Sequence, residues 1–383
     1  MQAKIPAVYM RGGTSKAVFF KQEDLPADPE IRDRVILAAY GSPDAGARQI
    51  DGMGGATSST SKVGIIGSSK LLDIDVTYLF GQVSVLTPLI DYEGNCGNIA
   101  SAVGPFAIDE GWVQAQEPVT TVRIWQKNTE KIIVAEVPVK NGKHMVEGDY
   151  HIDGVPGSGS KIGLKFLDPG GSVTGKLLPT GHVADTIVVP GYGQFVVSIV
   201  DASNPVVFVK ASDIGLCGTE IEGIDSNSEM LRKLEAIRSH AAVMIRLAKA
   251  PDEASPAVPK IAFVSKGEQY ETISGNFIIT SDIDLVVRIM SMGKLHRAFA
   301  ATGAICTAGA AEIDGTVVNQ VMNEASKHKG EVRIGHPSGI MNVKPVIEKG
   351  GGGIPLPRSH YRKNSPSVNG RLRSSTRRIL FKA

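Results

Sequence analysis

Three kinds of side chain in this sequence have the means to move a proton or grip a carboxylate: the thiols Cys96 and Cys306, the amine Lys62, and the guanidinium and hydroxyls of Arg11-Gly12-Gly13-Thr14-Ser15. Cys96 stands in Asn95-Cys96-Gly97-Asn98, ahead of Ile99, Ala102, Val103, Phe106 and Ala107 at helical spacing, with Gly111 as the stop signal. Cys306 precedes the small-residue run Thr307-Ala308-Gly309-Ala310-Ala311, so a second helix opening at a cysteine is expected there. A thiol at a helix N-terminus feels that end's partial positive charge, which stabilises the thiolate and lets it take or give a proton. Two such ends facing one cleft would also bind the carboxylates of an acidic substrate. The plain alternative is that both cysteines are small residues filling helix packing. Cys217, in Leu216-Cys217-Gly218, has no partner motif and reads as structural.

Arg11 to Ser15 combine one guanidinium, two glycines that let N–H groups converge, and two hydroxyls, a set suited to a carboxylate, although an ordinary turn before a strand looks the same. Arg48 and Lys62 flank the glycine-rich turn Gly52–Gly55 and are expected to face the same cleft, with a surface role as the alternative for Arg48. Gly97 and Asn98 complete that site from the helix start, and Ser338 and Gly339 are expected to offer an equivalent N–H cluster from the second half.

Other chemistries are excluded. Gly170 to Lys176 spells a P-loop up to its last position, but Leu177 replaces the magnesium-binding hydroxyl and Pro179 interrupts the required helix. No G-x-G-x-x-G leads a strand into a helix and the eight histidines lack metal spacing, so no cofactor and no metal are implied. With 41 Lys and Arg against 39 Asp and Glu, no global field draws nucleic acid or a membrane. Nine of those cations, Lys349, Arg358, Arg362, Lys363, Arg371, Arg373, Arg377, Arg378 and Lys382, follow Glu348, after which there is no acidic residue. With hardly any aromatic interleaving, the stretch reads as a loop and a last strand, Arg377 to Phe381, on a solvated face rather than a nucleic-acid tail. Three scattered cysteines, no signal-peptide run, and an apolar stretch Thr186–Val209 broken by Pro190, Asp201 and Pro205 point to the cytoplasm.

A length of 383 residues, 42% of them hydrophobic, and a mean hydropathy near zero predict two domains or two halves of one large globular fold. Short β-rich runs dominate, among them Ala7–Met10, Ala17–Phe20, Leu71–Phe80, Val122–Trp125, Ile132–Pro138, Phe195–Val200, Val206–Val209 and Ile261–Val264. The longest helical pattern is Ser228 to Lys249, so the class is α+β. Gly12 to Phe20 has a counterpart in Asp201 to Val209, a small polar turn and then a strand with Val-Phe. In each half a cysteine ahead of a small-residue helix follows about 100 residues later. Two similar halves, 1–187 and 188–383, are therefore expected.

Arg11-Gly12-Gly13-Thr14-Ser15-Lys16, Gln49-Ile50-Asp51-Gly52-Met53-Gly54-Gly55, Thr60-Ser61-Lys62-Val63, Asn95-Cys96-Gly97-Asn98 and Gly335-His336-Pro337-Ser338-Gly339 together resemble the 2-methylaconitate isomerase family, which includes 3-methylitaconate Δ-isomerase and 4-oxalomesaconate tautomerase. The likeness spans almost the whole chain. It implies the diaminopimelate-epimerase-like fold, two pseudo-symmetric halves each wrapping strands around a central helix. It also implies that Cys96 is a catalytic cysteine and Lys62 the active-site lysine. Where a diaminopimelate epimerase shows Cys-Gly-Thr-Gly, this chain has Cys306-Thr307-Ala308-Gly309, so Cys306 is the match but its flanking glycine is missing.

The expected function is that of a cofactor-independent isomerase moving a carbon–carbon double bond, or its geometry, in a small unsaturated di- or tricarboxylic acid such as methylaconitate, aconitate, methylitaconate or oxalomesaconate. Cys96 and Cys306 are the expected proton-transferring pair, with Lys62 stabilising a dienolate or acting through water. An amino-acid epimerase would use two opposed cysteines equally well, although the missing second Cys-Gly-Thr-Gly counts against it. A non-catalytic protein that binds a polycarboxylate is the third reading. The substrate is the only partner implied, and a homo-oligomer is compatible with all three.

Overall fold

The β-branched and aromatic residues near the N-terminus form a hairpin, β1 (Val8–Gly12) and β2 (Ser15–Lys21), with Gly12 paired to Ser15 across the turn. In the computed structural model, which describes residues 2–348, 356–358 and 379–382, this hairpin begins a unit that repeats once along the chain. From β2 the chain crosses through α1 (Pro29–Tyr40) to β3 (Lys62–Ser68), parallel to β2, and turns into antiparallel β4 (Val76–Val83). A second crossover through α2 (Gly97–Asp109) reaches β5 (Val119–Gln126), parallel to β4, followed by antiparallel β6 (Lys131–Lys140). The second pass runs β7 (Gly193–Asp201), β8 (Pro205–Lys210), α3 (Ser228–Met244), β9 (Lys260–Lys266), β10 (Leu285–Ser291), α4 (Ala301–Ala311), β11 (Val332–His336) and β12 (Gly339–Val343). Its pairings repeat in the same order: antiparallel, parallel, antiparallel, parallel, antiparallel. The expected counterparts correspond, because Asp201 and Pro205 close the β7–β8 turn just as Gly12 and Ser15 close the first.

Two compact units result, Met1–Lys165 with Ser367–Ala383, and Phe166–Pro366. The strand Asp185–Val189, which spans the expected boundary at 187/188, pairs with β7 in the second unit's sheet. The Gly350–Gly353 run and most of the basic residues after Glu348 lie outside the described residues. Of the expected last strand, Ile379–Lys382 is described and pairs with Gln2–Ile5. Among the described residues no helix is long and apolar enough to cross a membrane.

In each unit the sheet has two covered faces. In the first, Val18, Phe20, Val63 and Ile65 pack with Ile36, Ala39 and Tyr40 of α1. The alternate residues look the other way, toward α2, where Phe19 meets Phe106 with ring centroids 5.7 Å apart. α2 touches all six strands β1 to β6, which is what a sheet curled around a central helix requires. Residues 97–108 are all buried, and the thinness read from the sequence makes this possible. At Gly104 an added Cβ would lie 2.8 Å from a methyl of Val137 on β6. α4 is the corresponding buried helix of the second unit, against β7, β8, β11 and β12.

Several expectations need correction. Leu71–Phe80 is not one strand: β4 starts at Val76, and Leu71 and Leu72 lie exposed in a turn. The long helix ends at Met244, not Lys249, where Arg246 takes a left-handed conformation. α1 was not expected, although Asp28 caps it through its side chain and Pro29 follows at the first helical position. Cys306 does not open a helix: α4 begins at Ala301 and Cys306 is its sixth residue, since the apolar pattern extends one turn further upstream than the small-residue run.

Candidate active site

Register sets the site. Ala17, Lys62 and Gln82 stand side by side on β2, β3 and β4, and all three belong to the face that looks at α2. Lys62 is therefore directed inward and is 6% exposed. Its Nζ donates to Gln82 Oε1 at 2.6 Å and lies 5.1 Å from the centroid of the Phe80 ring, with Cys96 as the titratable group that acts on it. Burial pushes the amine below its ordinary value, while the neighbouring Cys96 opposes the shift by favouring the charged form.

Cys96 is the N-cap residue of α2, half-buried and extended in backbone conformation. Its carbonyl accepts from Ala100 N, but its side chain does not cap the helix and no acidic residue follows in the first turn. The thiol thus sits beside an uncompensated helix N-terminus and a buried amine. Both favour a negatively charged group bound beside them.

The Arg11–Ser15 turn lies directly over that helix start. Asn98 Nδ2 donates to Thr14 Oγ1 at 3.0 Å, and a Cβ on Gly12 would fall 2.3 Å from the Asn98 carbonyl oxygen. Gly12 is thus glycine because the turn touches the helix backbone. Arg11 bends back onto its own turn, donating to the Gly13 carbonyl at 2.8 Å. Among the buried polar atoms of this unit that have no hydrogen-bond partner are Ser15 Oγ, Asn95 Oδ1 and Tyr78 OH. The first belongs to the turn, the second adjoins Cys96, and the third is a hydroxyl whose pKa burial and the charge of Cys96 push well upward.

The structure brings together Cys96, Lys62, Gly97, Asn98 and the turn from Arg11 to Ser15. Arg48 is exposed in the loop after α1, where its N–H and those of Gly46 and Gln49 bond the Asp44 carboxylate. Cys306, Ser338 and Gly339 belong to the second unit. Cys306 is fully buried, its thiol donates to the Val200 carbonyl at 3.1 Å, and burial pushes its pKa far up. The Ser338 N–H bonds His336 Nδ1 and its hydroxyl donates to the Arg297 carbonyl, so this amide already has a partner. The P-loop look-alike wraps a carboxylate of the protein itself: Asp201 accepts from Ser172 Oγ, Val173 N, Thr174 N and Thr174 Oγ1.

Sequence reasoning missed Gln82 and Tyr78. Both share parity with Phe80 on a strand whose neighbours are apolar, so two polar side chains on the buried face were a readable signal. Their partners were not readable, because Lys62 and Gln82 are 20 residues apart and meet only through the β3–β4 register.

Known proteins share this architecture. A family model described as "PrpF protein" matches residues 2–356. A "3-methylitaconate isomerase" of Eubacterium barkeri is 49% identical over 354 residues, 91% of this chain and 92% of that one. A "2-methyl-aconitate isomerase" of Shewanella oneidensis is 44% identical over 356 residues, 89% of each. A solved structure titled as a methylitaconate-delta-isomerase superposes with a TM-score of 0.75 at 46% identity, covering 99% of this chain and 94% of that one. A hydroxyproline epimerase from Agrobacterium vitis, at 13% identity and a TM-score of 0.54 over 97% and 90% of the two chains, shares the fold alone.

Proposed function

The chain belongs to the PrpF protein family, and from that premise we propose that it is a cofactor-independent isomerase of a small unsaturated polycarboxylic acid of the methylitaconate and methylaconitate type. That it is an isomerase follows from its relatives. The choice of acid and the mechanism are the proposal. One observation carries it: a buried amine, Lys62, held by Gln82 in the electrostatic neighbourhood of a thiol, Cys96, that stands at an uncapped helix N-terminus.

In this reading the Arg11–Ser15 turn and the first N–H groups of α2 hold a substrate carboxylate, which leaves the allylic C–H next to the double bond within reach of the sulfur. The Cys96 thiolate removes that proton. The electron pair moves through the double bond into the carboxylate, giving a dienolate, and the double bond shifts one position. The Lys62 ammonium stands against the charge that develops, in a site where the low dielectric strengthens the attraction. The thiol then returns its proton to the carbon at the far end of the allylic system, so one proton leaves and one arrives and no redox partner is needed. Cys306 takes no part in this scheme, because its thiol is buried and engaged. Three free cysteines fit a reducing cytoplasm.

The test is a substrate panel in deuterated water followed by NMR: methylitaconate, methylaconitate, aconitate, oxalomesaconate and a set of amino acids. Deuterium entering an unsaturated acid, with migration of its double bond, is the expected result. Entry only at an amino-acid α-carbon would make the protein an epimerase, and none in any compound would make it a binding protein.

A further inference from the structure

We propose that Gln82 is the positioning residue for Lys62: its uncharged amide fixes the direction of the amine on the α2 face of the sheet without placing a negative charge beside it. The inference rests on the reading that Lys62 acts on the negative charge developing in the substrate. Lys62 and Gln82 are directly opposed on antiparallel strands, the arrangement in which two side chains on one face meet. The amide is held at both ends, with Oε1 accepting from Lys62 Nζ at 2.6 Å and Nε2 donating to the Ser61 carbonyl at 3.0 Å. Flipping it would put a donor against the ammonium and an acceptor against a carbonyl.

Its support is equally built in. The Ser61 carbonyl also accepts from Val83 N, and Ser61 Oγ donates to Gln49 Oε1 at 2.5 Å. Gln49 is 1% exposed and left-handed in backbone conformation, its amide donating to Ser42 Oγ and accepting from Ala56 N. A polar chain thus runs from the 42–56 loop through Gln49, Ser61 and Gln82 to Lys62. The titratable group that acts on the amine is Cys96 at the start of α2; Tyr40 of α1 donates its hydroxyl to the Lys62 backbone carbonyl, and Tyr78 on β4 feels Cys96.

The identity of the residue follows from its task. A carboxylate here would pair with Lys62 and cancel its field at the substrate. An apolar side chain would take away the acceptor that aims it.

Gln82→Glu and Gln82→Met, made in the full chain beside Lys62→Met, test this through kcat, KM and the pH dependence of kcat. Both Gln82 variants are expected to lose at least about tenfold in kcat with KM within about twofold, since the interaction acts on the transition state. The alkaline limb of kcat, where Lys62 loses its proton, should move up by about one pH unit or more in Gln82→Glu and down in Gln82→Met. A limb unmoved in both variants, or wild-type kcat in both, overturns the proposal, and loss of thermal stability alone does the same by reducing Gln82 to a structural role. Should Gln82→Glu fail to fold, Gln82→Met and the pH profile of Cys96 alkylation by iodoacetamide, in a Cys217→Ser background, decide: the profile should move in both Gln82→Met and Lys62→Met, and no movement in Gln82→Met overturns the proposal. Lys62→Met separates the two levels. Lost turnover there with unaffected Gln82 variants removes only the role of Gln82, whereas intact turnover in Lys62→Met removes Lys62 from the chemistry and Gln82 with it.

Discussion

The two units repeat one topology and spend it differently. In the first, a turn closed by Gly12 and Ser15 lies over a buried helix whose N-cap is Cys96, and the strand between them opens with Lys62 paired to Ala17. In the second, the matching turn closed by Asp201 and Pro205 neighbours a buried helix in which Cys306 is the sixth residue, and the matching strand opens with Lys260 paired to Val206. Lys62 Nζ donates to a side-chain amide and feels the charge of a thiol, whereas Lys260 Nζ donates to the Ala257 carbonyl at 3.4 Å and is half-buried. A cysteine placed one and a half turns into a helix is shielded from the unpaired N–H groups that would stabilise its thiolate. Equivalent residues by sequence order are therefore not equivalent chemically, and among the described residues it is the first unit that combines a thiol, an amine and a helix end.

The most severe way to break that contrast is to remove each thiol in turn. Cys96→Ser should lower turnover by at least about 100-fold with the fold intact, as loss of an acid–base group does. Cys306→Ser should leave turnover within about twofold and cost about 1 kcal/mol of stability from burying a hydroxyl. Steady-state kinetics and chemical denaturation check both, and equal losses of turnover would erase the distinction between the units.

The lysines sharpen it. Lys62→Met should lower kcat by about 10- to 100-fold with little change in KM, because the lost attraction is strongest where charge develops. Lys260→Met, at the matching position, should leave both constants unchanged. A loss confined to KM in Lys62→Met would move that residue from catalysis to binding.

A third test concerns the contact of turn and helix. Gly12→Ala places a methyl where the Asn98 carbonyl oxygen stands, so overpacking should cost about 1–3 kcal/mol and raise KM as the turn lifts from α2. An unchanged midpoint of denaturation and an unchanged KM would show that this turn yields freely.

The second unit has its own buried titratable group. Burial, then the charges of Arg288 and His296, lower His336 from 6.5 to about 3, so it stays neutral in the folded protein. Between those two values the unfolded chain holds the extra proton, so stability should fall as pH drops below 6.5, by about 1.4 kcal/mol per pH unit, with no contribution above 6.5. His336→Asn keeps an acceptor for the Ser338 N–H and should flatten that slope in denaturation curves at pH 7, 5 and 4. The smallest expected effect is that of Cys217→Ser, an exposed thiol outside both helices, which should alter neither turnover nor stability.

Much of this was legible in the residues. The repeat showed in the order of its turns and small-residue helices, and the helix after Cys96 ended at Asp109, just ahead of its stop signal Gly111, because periodicity and thin side chains are local properties. Cys96, Asn98 and the Gly12 turn could be nominated because glycine, cysteine and hydroxyl residues cluster where backbone and thiol chemistry are needed. Helix α1 was missed although its cap and first-position proline were present, since its charged residues hide the apolar stripe.

What the tertiary structure alone decided is direction and partnership. A strand shifted by one residue turns every side chain to the opposite face, so whether Lys62 looks at α2 or at α1 depends on its pairing with Ala17, a partner 45 positions away. The same register brings Gln82 to Lys62, and the start of α4 at Ala301 puts Cys306 in the middle of a helix. Sequence determines the local preferences that make a helix thin or a turn tight, but contacts between distant strands are settled by packing the whole sheet around its central helix. The chemistry of Lys62 is a property of that packing.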